Sequence, residues 1–550
     1  MTVRRVIVAL LAALVVVALV GFYVQPIHSA LRGDQAGTQP SAALKPSPTV
    51  PTAPTSPVTE TGVAAYDPAA HGRLPSGGSP DRLSLAVGSE RPPGFVTPPP
   101  GEGVRRYLDQ QIAWRVCGPH LCGTLAVPLD WDDPDGEAIT VALRMAPASG
   151  TRAGVLFINP GGPGGSGQEM VANFDTGEFA RYDVVGWDPR GSGESTPPVC
   201  FDDEGMDALN SLDQSPDDAS EWTSLLAGWK GFSTACRERS GPLLDHISTI
   251  DNVRDLDLLR ALLRSPKLDY FGISYGTFIG ATYAELYPDK VGRMVLDSAV
   301  DIVGDDGVTQ ASGFDRALGD FATWCVGTRC GLGGDRQAVL DTIVATVDAL
   351  DAHPLAVKDR TLTQSLATSG VAAFLYGGSA GYRLLATALK ALVNGDGSMI
   401  LAASDAMTDR DQDGTYGQMA NSFPAIYCAD ADDAGVAAAK AAWPGQIQQA
   451  PIFGALAGPD VTCTRWSAQP ADQLAITAEG AAPIVVLGVT GDPATPYENA
   501  VGMADALASG VLVSWKGAGH SAWERGNACV RATVTDYLND GTVPVDGTMC

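Results

Sequence analysis

Gly272-Ile-Ser274-Tyr-Gly276 follows the strand-like run Leu268-Asp-Tyr-Phe271 and precedes a helix-like stretch ending at Pro288. Flanking glycines permit a sharp strand-to-helix turn that lifts a serine hydroxyl out of a sheet edge. The spacing alone is a weak signal, and Gly377-Gly-Ser379-Ala-Gly381 repeats it. The run before Ser379, residues 371–376, holds a single β-branched residue, Val371, so Ser274 is the expected nucleophile. A serine needs a base, and histidine titrates near neutrality. His28, His71, His120 and His246 precede Ser274, so a base that follows its nucleophile is His353 or His520. His353 precedes Pro354 in an Ala-rich region and reads as a solvated side chain. His520 follows the apolar run 511–515 through Gly517-Ala-Gly519 and is the better base. The base requires a carboxylate to fix its tautomer and stabilise imidazolium. Asp492 ends Val485-Val-Leu-Gly-Val-Thr-Gly491 and opens the turn Asp492-Pro-Ala-Thr-Pro496, where Thr495 either supports the acid by hydrogen bonding or caps a helix. The developing oxyanion needs donors, and the expected ones are the amides of Tyr275 and of Gly162 in Asn159-Pro-Gly-Gly-Pro-Gly-Gly-Ser-Gly167. That loop lacks the Lys-Ser/Thr ending of a phosphate loop, and its prolines break dinucleotide spacing.

Elements that can hold these groups are visible in the apolar pattern. Strand-like runs at 139–143, 155–158, 184–187, 268–273 and 293–296 alternate with helical stretches, and runs at 483–489 and 511–515 resume the pattern after a long interruption. Such alternation implies an α/β fold with a mostly parallel sheet covered on both faces. We read residues 105–299 as the first part of the core and 481–550 as its second part. Residues 300–480, Ala-rich and helical in periodicity, form a large inserted cap.

The chain has 550 residues, with 45% apolar and 18% charged, a globular composition. Its net charge of −27 opposes attraction to nucleic acid, which is excluded as a partner. The ten cysteines, Cys117, Cys122, Cys200, Cys236, Cys325, Cys330, Cys428, Cys463, Cys529 and Cys550, lack the clustered ligands of a zinc site, so no metal is expected. Five disulfides between sequential neighbours are expected, and would place the folded part in an oxidising compartment. At the N-terminus Arg4 and Arg5 precede an uncharged apolar run, 6–24, long enough to cross a bilayer. Residues 1–30 read as a signal peptide or signal anchor, with retention slightly favoured because a cut after Ala30 would set bulky His28 at a position that wants a small residue. Residues 31–104, rich in Pro, Thr, Ser and Gly, read as a linker. The expected location is exported, cell-surface anchored or secreted, with the membrane touched only through the N-terminal segment. Oligomeric state is not legible.

Five segments in order, Asn159-Pro-Gly-Gly-Pro-Gly-Gly, Gly186-Trp-Asp-Pro-Arg-Gly-Ser-Gly193, Gly272-Ile-Ser-Tyr-Gly-Thr277, Asp492-Pro-Ala-Thr-Pro496 and Gly519-His520, resemble the exported α/β-hydrolases related to tripeptidyl aminopeptidases and proline iminopeptidases of Gram-positive bacteria. The likeness spans about 111–550. It implies an α/β-hydrolase fold with a helical cap and a serine hydrolase whose triad is Ser274, Asp492 and His520. It further implies release of short peptides, tripeptides in one branch, from free N-termini of peptides or proteins. No cofactor is required by that chemistry. Where an iminopeptidase would carry His-Gly-Gly-Pro, this chain has Pro160-Gly-Gly-Pro163, as the tripeptidyl branch does, which leaves single-residue proline release unsupported. Arg190 reads as a structural ion-pair residue. An exopeptidase must also favour a free ammonium, and Asp430, in Ala425-Ile-Tyr-Cys-Ala-Asp430, is the candidate acceptor. Two alternatives stand beside this reading: a carboxylesterase or lipase on the same scaffold, and a non-catalytic surface binding protein.

Overall fold

A computed structural model describes residues 94–304 and 308–550; the expected signal segment, most of the 31–104 stretch, His28 and His71 lie outside the described residues. Strands follow in the order β1 (Phe95–Val96), β2 (Arg115–Cys117), β3 (His120–Pro128), β4 (Ala138–Ala146), β5 (Gly154–Asn159), β6 (Tyr182–Trp187), β7 (Leu268–Ile273), β8 (Val291–Asp297), β9 (Leu355–Val357), β10 (Arg360–Leu362), β11 (Ile484–Gly491), β12 (Gly510–Ala518) and β13 (Thr548–Met549). One sheet runs β13-β12-β11-β8-β7-β5-β6-β4-β3-β2, with β1 added against β4. From β6 to β13 all neighbours are parallel, while β2, β3 and β4 form an antiparallel flank. This is the α/β-hydrolase architecture.

Alternation along the central strands divides their side chains between two cores, as a period of two requires. Phe157, Trp187, Tyr270, Met294 and Val486 enter one core with the helices Thr249–Leu262 and Tyr275–Leu286. Leu156, Ile158, Phe271, Val295, Val485 and Leu487 enter the other, against the helices Gly167–Asn173 and Ala528–Asp540. The active edge is the one where these parallel strands end, because each strand-to-helix turn opens there.

Between β8 and β11 the chain builds helices at Gln310–Thr328, Arg336–Ala352, Gln364–Tyr376, Tyr382–Val393, Ser398–Met407, Met419–Asp430 and Val436–Gln449, with the small β9–β10 hairpin. The first five of these helices close a third core of their own, around Phe321, Val339, Leu366, Phe374 and Leu389, while Met419–Asp430 buries Ala425, Ile426 and Ala429 in the first core. One feature departs from the sequence reading. Phe95 and Val96, 3% and 2% exposed, pair with Ile139 and Ala138, so ordered structure begins ahead of Arg105. The helices Asp203–Asn210 and Ala219–Ser240 bury Met206, Leu209, Phe232 and Cys236 in the first core, and this part of the chain is also bonded to the cap. Arg410 grips Asp207 through Nε and Nη2 at 2.7 and 2.9 Å, and the Gln214 N–H donates to Ser365 Oγ at 3.0 Å.

All ten cysteines pair with sequential neighbours: Cys117–Cys122, Cys200–Cys236, Cys325–Cys330, Cys428–Cys463 and Cys529–Cys550. Among the described residues no helix is long and apolar enough to cross a membrane.

Candidate active site

Ser274 joins β7 directly to the helix Tyr275–Leu286 with φ 58° and ψ −127°. Positive φ is uncommon for a residue with a Cβ and costs on the order of 1–3 kcal/mol, so neighbours must hold it. The Ser274 N–H donates to the Asp297 carbonyl at 2.9 Å, and the Ser274 carbonyl accepts from the Thr277 N–H at 2.8 Å and hydroxyl at 2.6 Å. The flanking glycines serve close approach: a Cβ on Gly272 would lie 2.5 Å from the Gly276 carbonyl oxygen, and one on Gly276 2.8 Å from that of Asn159.

The glycine-rich loop after β5 lies against this turn. Gly161, at φ +90°, is so near that a Cβ would fall 2.8 Å from the Tyr275 nitrogen and 3.0 Å from Ser274 Cβ. Gly162 follows at φ +113°. Tyr275 opens its helix, where N–H groups have no acceptor within the helix and can serve a developing anion. Asp188, fully buried, anchors the far end of the loop by accepting from Ser166 Oγ (2.7 Å), Gln168 Nε2 (2.8 Å) and the Glu194 N–H (2.8 Å). Arg190, in the same segment, is buried and serves structure: it pairs with Asp255 at 2.7 Å and donates to the carbonyls of Pro128, Leu129 and His246.

Strand register brings acid and base together. Gly491 at the end of β11 is opposite Ala518 at the end of β12, so the turns that follow carry Asp492 and His520 to one place. His520 Nδ1 donates to Asp492 Oδ1 and Oδ2 at 2.9 and 3.0 Å. Asp492 Oδ1 also accepts the N–H groups of Ala494 and Thr495, each at 3.0 Å, and Thr495 Oγ1 lies 3.3 Å from His520 Nδ1. Burial by itself would lower the imidazole's pKa. The charge and hydrogen bond of Asp492 override it, helped by Asp297 and Glu524, and the pKa ends above its ordinary 6.5. The described hydrogen bonds join Asp492 to His520 but not His520 to Ser274, a link that often tightens only with substrate bound.

The link between base and nucleophile runs through Asp297, which sequence reading missed. It ends β8 opposite Ile273 of β7 and Leu487 of β11. Its carboxylate accepts from Ser521 Oγ (2.7 Å) and from the N–H groups of Ala522 (2.8 Å) and Trp523 (3.0 Å). The signal was present, since an acid closes the apolar run Met294-Val-Leu-Asp297 just as Asp492 follows β11.

The cap reaches the same site. Tyr376 accepts the His520 N–H on its carbonyl at 3.1 Å, and its ring meets the imidazole edge-on with centroids 5.4 Å apart. The second glycine-serine-glycine segment forms this footing. Its Ser379 is exposed and preceded by a helix, while a Cβ on Gly378 would lie 2.1 Å from the Ala518 carbonyl oxygen. His353 is an exposed residue at a helix end. Asp430 closes the helix Met419–Asp430, where its carboxylate accepts from the Thr249 N–H (2.8 Å), Thr249 Oγ1 (2.7 Å) and the Tyr275 hydroxyl (3.3 Å). It borders a cavity of about 330 Å³ lined also by Phe278, Ile302 and Leu474. Burial pushes its pKa up to about 6 against those hydrogen bonds. Two carboxylate groupings, Asp213 with Glu221 and Asp351, and Asp217 with Asp218 and Glu221, gather where the helix Ala219–Ser240 starts, and Asp218 and Glu221 form its capping box.

Comparison with known proteins agrees with this geometry. A family model described as TAP-like protein matches residues 450–550, the stretch that carries Asp492 and His520. The chain is 35% identical over 477 residues to serine protease Hip1 of Mycobacterium tuberculosis, covering 80% of this chain and 91% of that protein. It is 33% identical to carboxylesterase B of the same species, covering 85% of this chain and 94% of that protein. It is 30% identical to the tripeptidyl aminopeptidase of Streptomyces lividans, covering 81% and 86%. A serine raised on a strained turn, a buried acid–base pair and relatives of this length lead to one assignment: the chain is a serine hydrolase and belongs to the TAP-like family of α/β-hydrolase serine peptidases.

Proposed function

We propose that this peptidase works outside the cytoplasm and releases short peptides, tripeptides foremost, from free amino termini through an acyl-enzyme on Ser274. His520 takes the serine proton, Ser274 attacks the carbonyl, and the amides of Gly162 and Tyr275 receive the oxyanion. The imidazolium, paired with Asp492, then protonates the leaving amine, and water resolves the ester with the same histidine as base. The observation that carries the chemistry is the buried Asp492–His520 pair, with Thr495 beside it, in a loop tied to the Ser274 turn.

Asp430 supports the end preference. Its carboxylate is buried among neutral donors, a setting in which an arriving ammonium gains a charge-assisted hydrogen bond. The tyrosine whose hydroxyl touches Asp430 is the one whose amide would hold the oxyanion, so the two sites stand about one tyrosine side chain apart. Three extended residues span about 10 Å, a comparable scale. Export is supported by the apolar run 6–24 behind Arg4 and Arg5 and by cysteines that all pair.

The test compares tripeptide anilides and longer peptides with free and acetylated N-termini, with products read by mass spectrometry. Tripeptides released only from free ends, and lost in Ser274→Ala, support the proposal. Equal cleavage of acetylated substrates overturns the end preference. Turnover of simple acyl esters without peptide cleavage supports the esterase reading that the relative named carboxylesterase B favours.

A further inference from the structure

Three non-glycine residues around the reacting groups are held at positive φ: Ser274 at 58°, Ser298 at 55° and Ser521 at 73°. Each is fastened to Asp297 or to its neighbour. The Asp297 carbonyl accepts the Ser274 N–H, and its carboxylate takes the hydroxyl of Ser521 together with the next two backbone N–H groups. Ser298 Oγ accepts the Ser521 N–H at 2.9 Å, while its own N–H donates to the Leu487 carbonyl in the strand that leads to Asp492. One dipeptide at the end of β8 is therefore bonded to the nucleophile turn, to the base loop and to the acid's strand. Burial pushes the Asp297 carboxyl above its ordinary value, while the N–H groups of Trp523 and Ala522, the Ser521 hydroxyl and the positive charge that His520 carries as imidazolium pull it back toward the anion.

We propose that Asp297 is a positioning residue of this active site: it locks the 519–523 loop in register with the Ser274 turn, and its charge favours the imidazolium that forms as the serine loses its proton. This inference rests on the Ser274, His520 and Asp492 reading. Other charged or titratable groups around the imidazole are Asp492 after β11, Glu524 and Arg525 in the turn that follows it, and Tyr376 from the cap. Asp297 differs from them in being bonded to both sides of the reaction.

The experiment measures kcat and KM against pH for wild type, Asp297→Asn and Ser298→Ala on a free tripeptide anilide, with rates expressed per site labelled by a fluorophosphonate. In Asp297→Asn, kcat falls by about tenfold to a hundredfold with KM within about twofold, the size of effect expected from a small misplacement of the base. The acid limb of the profile also moves to lower pH, because a charge that favoured imidazolium is gone. Ser298→Ala keeps that charge and loosens the loop, so kcat falls by about threefold or more while the limb stays. Should Asp297→Asn not fold, Ser298→Ala decides the positioning claim. An unmoved limb in Asp297→Asn, a deficit that vanishes per labelled site, or wild-type kcat in Ser298→Ala overturns the proposal. Absent labelling of wild type, with activity surviving in Ser274→Ala, refutes the triad reading instead.

Discussion

Replacing Asp492 with Asn preserves the side chain's size but presents an amide donor to His520 Nδ1, which then settles in the tautomer that cannot take the serine proton. We expect kcat to fall by about 10³- to 10⁴-fold with KM little changed, measured per active site. In the wild type, kcat/KM falls on the acid side as His520 takes up a proton, with a midpoint above 6.5. Asp430 gives a separate signature. Below about pH 6 its carboxylate gains a proton and loses its pull on an ammonium, so KM for free-ended peptides rises there while KM for acetylated analogues does not. Asp430→Asn removes that difference. Ser274, Asp492 and His520 could be singled out in the sequence because each stands in a turn after an apolar run, within two residues of Gly or Pro. Asp297 also closes an apolar run, but its role was not legible, since its carboxylate partners lie 224 to 226 residues further on and two of them are backbone groups of no particular residue type.

Among elements, the central strands were readable because parallel strands buried on both faces are continuous apolar runs. The helices Asp203–Asn210 and Ala219–Ser240 bury one side in the first core and also touch the cap, a double contact that a helix's own pattern does not show, because it says that one face is covered, not by what. The cap contact became visible only through pairs such as Arg410 with Asp207. The antiparallel flank is held to this framework by Arg190, which joins the loop after β6 to β3 and to Asp255 in the helix Thr249–Leu262. Arg190→Met leaves the Asp255 carboxylate buried without its cation. We expect a loss of about 3–5 kcal/mol in urea unfolding, because breaking one partner of a buried pair strands the other charge. Activity per folded molecule at low urea should change far less, since Arg190 touches none of the reacting residues.

For the molecule as a whole, five disulfides distribute covalent ties over core and cap, and Cys428–Cys463 lies two residues from Asp430 on the helix Met419–Asp430. Paired Cys428→Ser and Cys463→Ser substitutions should raise KM for free-ended peptides more than they lower kcat, and should reduce the melting temperature, followed by steady-state kinetics and thermal denaturation. The sheet's order has a temporal side as well. The serine arrives with the seventh strand, but the acid and the base ride on the eleventh and twelfth. A chain whose eleventh and twelfth strands have not yet joined the sheet has its nucleophile but neither its base nor its acid. Cleavage therefore needs the strands on both sides of the cap in place at once, because neither stretch of the sheet alone holds all three reacting side chains.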